Sequence, residues 1–292
     1  MENLDNQGHF VHDNMPAVKS SRVMPLFSLK GKTAIVTGSA AGIGLGVVQA
    51  FAEAGADVAI WYNSNKKAEI VAAEVAKEYG VQCKAYQVNV TDNAAVEAAV
   101  DKCVEDFGGR LDIMVANSGI PWTDGPMLDG AIEKALHVLR VNVDGVYFCA
   151  RAAGKHFRRQ KKEGTTTGGK PLENFTYGAF VATASMSGHI VNIPQAQVSY
   201  NASKAAVVHL CKSLAVEWSG FARANSISPG YIITEISQFC SQETKNMWKD
   251  KIPMGREGEV SELKGAYLYL ASDAATYTTG CDMVIDGGYC LP

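Results

Sequence analysis

Tyr200 and Lys204 stand four residues apart in the string Tyr200-Asn201-Ala202-Ser203-Lys204. In a helix this spacing puts both side chains on one face, a turn from each other. A free phenol titrates near about 10 and exchanges protons poorly at neutral pH. An ammonium beside it favours the phenolate and draws that value down, so the pair reads as a tuned proton donor and acceptor. A second string, Thr37-Gly38-Ser39-Ala40-Ala41-Gly42-Ile43-Gly44, lies between a β-branched run and a helical stretch. A helix starting there offers unpaired N–H groups and a positive dipole end to a pyrophosphate, and glycines let the backbone approach the anion.

A third string, Ala59-Ile60-Trp61-Tyr62-Asn63-Ser64-Asn65-Lys66-Lys67, ends the second β-branched run. A dinucleotide fold that prefers NAD places an acid here, on the ribose 2′-hydroxyl. No acid occurs between Asp57 and Glu69. Asn63 and Ser64 can donate to a 2′-phosphate, with Lys66 or Lys67 supplying charge, so NADP(H) is the expected cofactor, bound by Tyr62, Asn63 and Ser64.

The elements that must position these groups follow from periodicity. Strands are predicted at 33–37, 57–62, 82–88, 111–116, 180–184, 224–228 and 283–286. Helices are predicted from the glycine turn through 54 and at 66–79, 92–107, about 131–161, 198–218 and 260–270. Strand–helix alternation sustained this long implies right-handed βαβ units and a parallel sheet covered on both faces. The expected fold class is α/β, a single doubly wound domain over 28–292 with a seven-stranded parallel sheet. Residues 1–27 are polar, carry Pro16 and Pro25, and read as a mobile arm that docks only near its end. The stretch Arg158 to Lys170 is rich in Gly, Thr and Lys and reads as a solvated loop.

Composition narrows the function classes. Of 292 residues, 47% are hydrophobic and 20% charged, with a net charge of −3. No basic excess draws nucleic acid or an anionic membrane, and no apolar run nears the roughly 18 residues needed to span a bilayer. Seven cysteines, Cys83, Cys103, Cys149, Cys211, Cys240, Cys281 and Cys290, show neither CxxC nor regular spacing, so they read as free thiols in a reducing compartment rather than disulfides or a metal site. The polar, acidic start Met1-Glu2-Asn3-Leu4-Asp5 lacks a secretory pattern, and the cytoplasm is the expected location.

Taken in chain order, these strings resemble the short-chain dehydrogenase/reductase family. Thr37 to Gly44 is similar to its TGxxxGxG turn and Tyr200 to Lys204 to its YxxxK pair. The resemblance implies a Rossmann fold, usually dimeric or tetrameric, with a homo-oligomer of this chain as the expected partner. It also implies a serine before the tyrosine that holds the substrate carbonyl oxygen. Thr183-Ala184-Ser185-Met186-Ser187-Gly188 offers two: the SxxG pattern selects Ser185, whereas the commonest family separation selects Ser187. Ser185 is preferred. Asn142, in Arg140-Val141-Asn142-Val143-Asp144-Gly145, matches the family's helix asparagine, with the implied role of holding a water that relays protons to Lys204. Asparagine is also unfavourable inside a helix, which points independently to a function or a kink there.

The same resemblance assigns cofactor contacts to Gly38, Ser39, Gly42, Ile43 and Gly44 in the turn and to Asn89 at the adenine. Asn117 in Ala116-Asn117-Ser118-Gly119 is expected to brace the sheet and border the cofactor. Pro229, Gly230, Ile232 and Thr234 belong to a PGxxxT segment in which the Ile232 backbone would bind the nicotinamide carboxamide with Thr234 assisting, and Asp286-Gly287-Gly288 is read as structural. The implied reaction passes a hydride between the nicotinamide and a ketone carbon while Tyr200 protonates the oxygen and Lys204 holds the ribose hydroxyls. Further strings, including Ser187-Gly188-His189-Ile190-Val191-Asn192-Ile193-Pro194-Gln195, are similar to the fungal and yeast sorbose reductases, NADP-dependent mannitol dehydrogenases, L-xylulose reductases and carbonyl reductases. The implied substrate is a ketose or another small ketone and its secondary alcohol. The alternatives are a tailoring ketoreductase of fungal secondary metabolism on a bulkier ketone, and a catalytically silent cofactor-binding scaffold. Trp122, His189, Tyr231 and a lid from Glu235 to Met254, with Phe239, Met247 and Trp248, are expected to bound the substrate pocket.

Overall fold

The computed structural model describes residues 8–11, 15–235 and 240–291. Seven strands form one parallel sheet in the order β3-β2-β1-β4-β5-β6-β7. They are β1 (Thr33–Thr37), β2 (Asp57–Tyr62), β3 (Cys83–Gln87), β4 (Ile113–Ala116), β5 (Gly178–Thr183), β6 (Ala222–Pro229) and β7 (Asp282–Ile285). The central strands β1, β4, β5 and β6 are buried along their whole length, because helices cover both faces; this is why they read as continuous apolar runs. The chain runs outward one way from β1 to β3, then restarts at β4 beside β1, pairing Ala34 with Ile113 and Val36 with Val115. The carboxyl ends of β1 and β4 therefore diverge into opposite loops and leave a crevice.

Eight α-helices flank the sheet among the described residues: α1 (Gly42–Glu53), α2 (Ala68–Tyr79), α3 (Asn93–Asp106), α4 (Ile132–Leu139), α5 (Gly145–Glu163), α6 (Val198–Glu217), α7 (Gln242–Lys251) and α8 (Val260–Ala271). Local chemistry sets their ends. Asp92 caps α3 by accepting from the N–H groups of Ala94 and Ala95. Gly80 and Gly164 close α2 and α5 in the left-handed conformation. A reciprocal box between Glu259 and Glu262 opens α8. Two apolar clusters fill the two faces, one centred on Phe157, Phe180 and Trp218 under α3, α5 and α6, the other on Phe51, Ile60 and Tyr267 under α1, α2 and α8. Gly46 is where α1 meets α8: a Cβ there would lie 2.3 Å from Val260 Cγ1.

Three expectations are corrected. The long helix predicted over about 131–161 is α4 and α5 joined by a π-turn, Arg140–Asp144, with Asn142 in its middle. Arg158 to Lys170 is not all solvated loop. Residues through Glu163 complete α5, where Phe157 is fully buried and the Gln160 carboxamide pins Leu111 by donating to its carbonyl and accepting its N–H. Residues 165–171 then fold back through a Thr165–Pro171 bridge and a Thr167 N–H to Gly109 carbonyl bond. Within the arm, residues 1–7 and 12–14 lie outside the described residues, but contact is not confined to its end. The buried Tyr177 hydroxyl needs an acceptor and donates to the Pro16 carbonyl, ahead of a 3-10 turn at Met24–Phe27.

Candidate active site

A cleft of roughly 520 Å³ opens at the carboxyl ends of β1, β4, β5 and β6, within the range usual for small-molecule sites. One end is built by the glycine turn. Gly38 and Gly42 have φ of 60° and 56°, a region that L side chains rarely enter. At Gly44 a Cβ would stand 2.5 Å from the Gly38 carbonyl and 2.7 Å from Asn117 Nδ2, so only glycine fits. The residue before α1 is Ala41, which has no side-chain cap to offer, and the first turn carries no acid. The opening N–H groups of α1, including those of Gly42, Ile43 and Gly44 on the cleft wall, are thus left without a side-chain acceptor, which is what a pyrophosphate would use.

Ser39 does not face this space. It is fully buried, its hydroxyl donates to the Val36 carbonyl at 2.6 Å, and its N–H bonds the Trp61 carbonyl. It shapes the turn and does not line the cleft. Asn63 and Ser64 line the cleft and are exposed. Tyr62, one residue earlier, is still within β2 and packs on the apolar cluster under α1 and α2. It is not among the residues that line the cleft. Asn89 reaches the cleft, its carboxamide oxygen held by the N–H and hydroxyl of Thr91.

Asn117 ties three strands together at the cleft floor. Its Nδ2 donates to the carbonyls of Thr37 and Gly38, its Oδ1 accepts from Thr183 Oγ1 at 3.0 Å, and its N–H meets Thr37 Oγ1. Asn142 is fully buried. Its Oδ1 accepts from the Ile120 N–H at 2.9 Å, while its Nδ2 donates to the Ile120 carbonyl and to Ser203 Oγ. Both Asn142 Oδ1 and Lys204 Nζ would lie 3.3 Å from a Cβ on Gly119, so this asparagine and the lysine flank the same glycine. The π-turn is what swings it there, a local distortion frequent at functional sites.

Ser185, two residues past β5, caps a 3-10 turn at Met186–Gly188, its hydroxyl accepting from the Ser187 N–H at 3.1 Å. That hydroxyl also lies near enough to the phenol of Tyr200 to favour its ionised form. Ser187 points elsewhere, accepting from Gln197 Nε2. The geometry therefore separates the two serines: Ser185 faces the tyrosine and lines the cleft, Ser187 does not. Tyr200 and Lys204 lie in the first two turns of α6 and both line the cleft. Lys204 Nζ stands 5.6 Å from the Tyr200 ring centre and donates to the Thr183 carbonyl at 2.8 Å.

The electrostatics differ from the expected simple depression of the phenol. Burial pushes the Tyr200 phenol above its ordinary value, with the Ser185 hydroxyl working against that rise. Burial lowers the Lys204 ammonium to about 8. Desolvation of the two groups outweighs the attraction between them.

Pro229, Gly230 and Thr234 line the cleft; a Cβ on Gly230 would stand 2.7 Å from Asp286 Cα, which is the close approach behind the Asp286-Gly287-Gly288 string. The Ile232 side chain is buried in the core, and its backbone, the part expected at the nicotinamide, sits opposite Gly258. The expected pocket boundary is also corrected. Trp122 is buried, packs against Gly130 and donates to the Gly125 carbonyl. His189 pairs with Asp282 at 2.7 Å. Tyr231 stacks on Trp248 of α7 at 4.0 Å with planes 8° apart. Each spends its polar or aromatic surface on structure, and none lines the cleft. Within the expected lid, Glu235 lines the cleft, Trp248 is buried packing, and Phe239 lies outside the described residues. Sequence reasoning missed Ser118, Ile120, His137 and Val141 on the walls. His137 and Val141, four apart ahead of Asn142, carried a usable signal, since that spacing gives them a common helix face.

The comparisons with known proteins agree with this geometry. The family model described as enoyl-(acyl carrier protein) reductase matches residues 38–290. An L-xylulose reductase of Hypocrea jecorina is 67% identical over 285 residues, covering 98% of this chain and 99% of that protein. A probable NADP-dependent mannitol dehydrogenase of Yarrowia lipolytica is 55% identical, covering 94% and 92%. The crystal structure of an NADPH-dependent 3-quinuclidinone reductase from Rhodotorula rubra superposes with a TM-score of 0.88 at 41% identity, covering 97% of this chain and all of that one. With its glycine turn, its Ser185–Tyr200–Lys204 cluster and these likenesses over nearly its whole length, the chain belongs to the short-chain dehydrogenase/reductase family.

Proposed function

We propose that this oxidoreductase interconverts a ketose and its polyol using NADP(H), with a five-carbon ketose such as L-xylulose as its substrate. The observation that carries the reading is the convergence of Ser185, Tyr200 and Lys204 on one cleft whose other end is an uncapped helix N-terminus. The 67% identity to an L-xylulose reductase supports the choice of sugar. NADP(H), when bound, supplies or accepts the hydride. The chain's own residues do the rest. Tyr200 hands its phenolic proton to the carbonyl oxygen as charge develops there, and Ser185 donates a second hydrogen bond to the same oxygen. Lys204, fixed by the Thr183 carbonyl, keeps a positive charge beside the phenol. Asn142 holds the Ile120 segment against this pair. The α1 N-terminus receives the pyrophosphate, Asn89 borders the adenine, and the exposed Asn63 and Ser64 meet the 2′-phosphate with no acid to repel it.

The experiment is an initial-rate panel following nicotinamide absorbance, with L-xylulose, D-fructose, L-sorbose and a bulky aromatic ketone, each with NADPH and NADH. Turnover of a ketose with NADPH, L-xylulose foremost, is the expected result. A protein that reduces only the aromatic ketone, or that prefers NADH, overturns the reading. The same proposal places the enzyme in the cytoplasm as a homo-oligomer. Exposed Met127, Leu128, Ile132 and Leu136 beside and on α4, with Tyr147 on α5, support self-association, which light scattering tests. No helix among the described residues is long and apolar enough to cross a membrane.

A further inference from the structure

Asn192 lies in the segment between Ser185 and α6, and it is only 4% exposed although its neighbours Val191 and Ile193 are 78% and 58% exposed. A buried carboxamide is costly unless its polar atoms are bonded, and both ends of this one are. Its Oδ1 accepts from Gln197 Nε2 at 2.7 Å and its Nδ2 donates to the Tyr231 hydroxyl at 3.1 Å. The two partners belong to two different segments, each of which reaches the cleft through neighbouring residues. Gln197 precedes α6, and its Nε2, which has two hydrogens, is shared among Asn192 Oδ1, Asn201 Oδ1 at 3.0 Å and Ser187 Oγ at 3.2 Å. It thereby grips the turn that Ser185 caps and the helical turn that carries Tyr200. Tyr231 lies between Gly230 and Thr234, both of which line the cleft. Its ring is clamped by Trp248 at 4.0 Å and by the edge of Tyr289 at 5.5 Å. A longer contact from Tyr231 to Gln195 Oε1, 3.4 Å, runs parallel to the first.

We propose that Asn192 is a positioning residue that sets the spacing between the Ser185–Tyr200 wall and the Gly230–Thr234 wall, and so decides how tightly a hydroxyl-bearing ketone chain is held. This rests on the ketose reading above. A ketose has hydroxylated carbons on both sides of its carbonyl and must satisfy both walls at once, whereas the cofactor's phosphates are held by the glycine turn, which Asn192 does not touch. An apolar side chain of similar volume would keep the site filled and lose the directional link.

The test uses the full-length protein and three variants: Asn192→Leu, Tyr231→Phe, which keeps the ring stack and removes only the hydroxyl, and the double variant. Each is measured with L-xylulose at saturating NADPH, together with NADPH affinity by fluorescence. The expected result for either single change is a ketose KM raised about tenfold, the worth of one net hydrogen bond, with kcat within about threefold and NADPH affinity unchanged. The double variant should be no worse than the poorer single one, because both cut the same link. An unchanged ketose KM in both single variants, a loss shared equally by NADPH affinity, or independent effects that multiply in the double variant would each overturn the proposal. A wild-type protein that turns over no ketose would instead refute the ketose reading, and the role of Asn192 would fall with it.

Discussion

Replacing Lys204 with methionine should stabilise the protein while abolishing its activity. The ammonium is 4% exposed, and burial lowers it from 10.5 to about 8. At about 1.4 kcal/mol per pH unit, that is a cost of about 3 kcal/mol for keeping the charge in the folded chain. The sign follows from proton counts. Below pH 8 the folded and unfolded chains both carry the proton, so the whole cost is felt. Between about 8 and 10.5 the folded chain has released it and the unfolded chain has not, so stability rises with pH; above 10.5 the cost is gone. Methionine removes the charge but forfeits the bond to the Thr183 carbonyl, a loss of about 1–2 kcal/mol. At pH 6.5 the variant should therefore gain about 1–2 kcal/mol, a rise in Tm of roughly 2–3 °C. Thermal unfolding of the nucleotide-free protein at pH 6.5 and 9.5 checks this, and the gain should shrink or reverse at the higher pH. A Tm below wild type at pH 6.5, or a gain indifferent to pH, would show that burial of the charge is not what governs this lysine.

Three further substitutions bear on the cleft. Tyr200→Phe should lower kcat by about 10²–10⁴-fold, the usual worth of a general acid, with NADPH affinity within about threefold in a fluorescence titration. Ser185→Ala should lower kcat/KM by about 10²-fold and Ser187→Ala by only a few-fold, because only Ser185 lines the cleft; equal losses would mean that the side-chain directions are misassigned. Asn63→Asp should weaken NADPH relative to NADH by about tenfold or more, a like charge beside the 2′-phosphate costing at least about 1.4 kcal/mol, and an unchanged cofactor ratio in steady-state kinetics would remove Asn63 from that contact.

The strands were legible because both faces of the sheet are covered, so β1 as Thr-Ala-Ile-Val-Thr and β5 as Gly-Ala-Phe-Val-Ala-Thr are buried end to end. Helix α7 was not, because its ten residues carry one buried side chain, Trp248, and hence no apolar stripe. The π-turn surfaced only as an ill-placed Asn142, since a one-residue bulge leaves hydrophobic periodicity almost untouched. Within the site, motif spacing located each segment but could not say which way a side chain turns. Ser39 stands in the expected string, yet its hydroxyl is spent on the Val36 carbonyl. The same gap applies to Trp122, His189 and Tyr231, whose partners Gly125, Asp282 and Trp248 are 3, 93 and 17 residues away in the chain. Contacts of that kind are products of the fold and leave no trace in local composition.

The two shifts at the centre of the cleft also bear on direction. Burial raises the Tyr200 phenol and lowers the Lys204 ammonium to about 8, which reverses the proton order a simple cation–phenol pair would suggest. At neutral pH the phenol keeps its proton and the lysine, still below its titration point, keeps its charge. That is the state needed to protonate a carbonyl oxygen. Alcohol oxidation needs the opposite, a phenol that has surrendered its proton, and the desolvated cleft resists it. Pairs whose environments favour one protonation pattern commonly carry the acid and base assignments of a site. Burial thus favours the protonated phenol, the form that donates to a carbonyl oxygen, while rising pH or an added positive charge in the cleft favours the phenolate that alcohol oxidation uses.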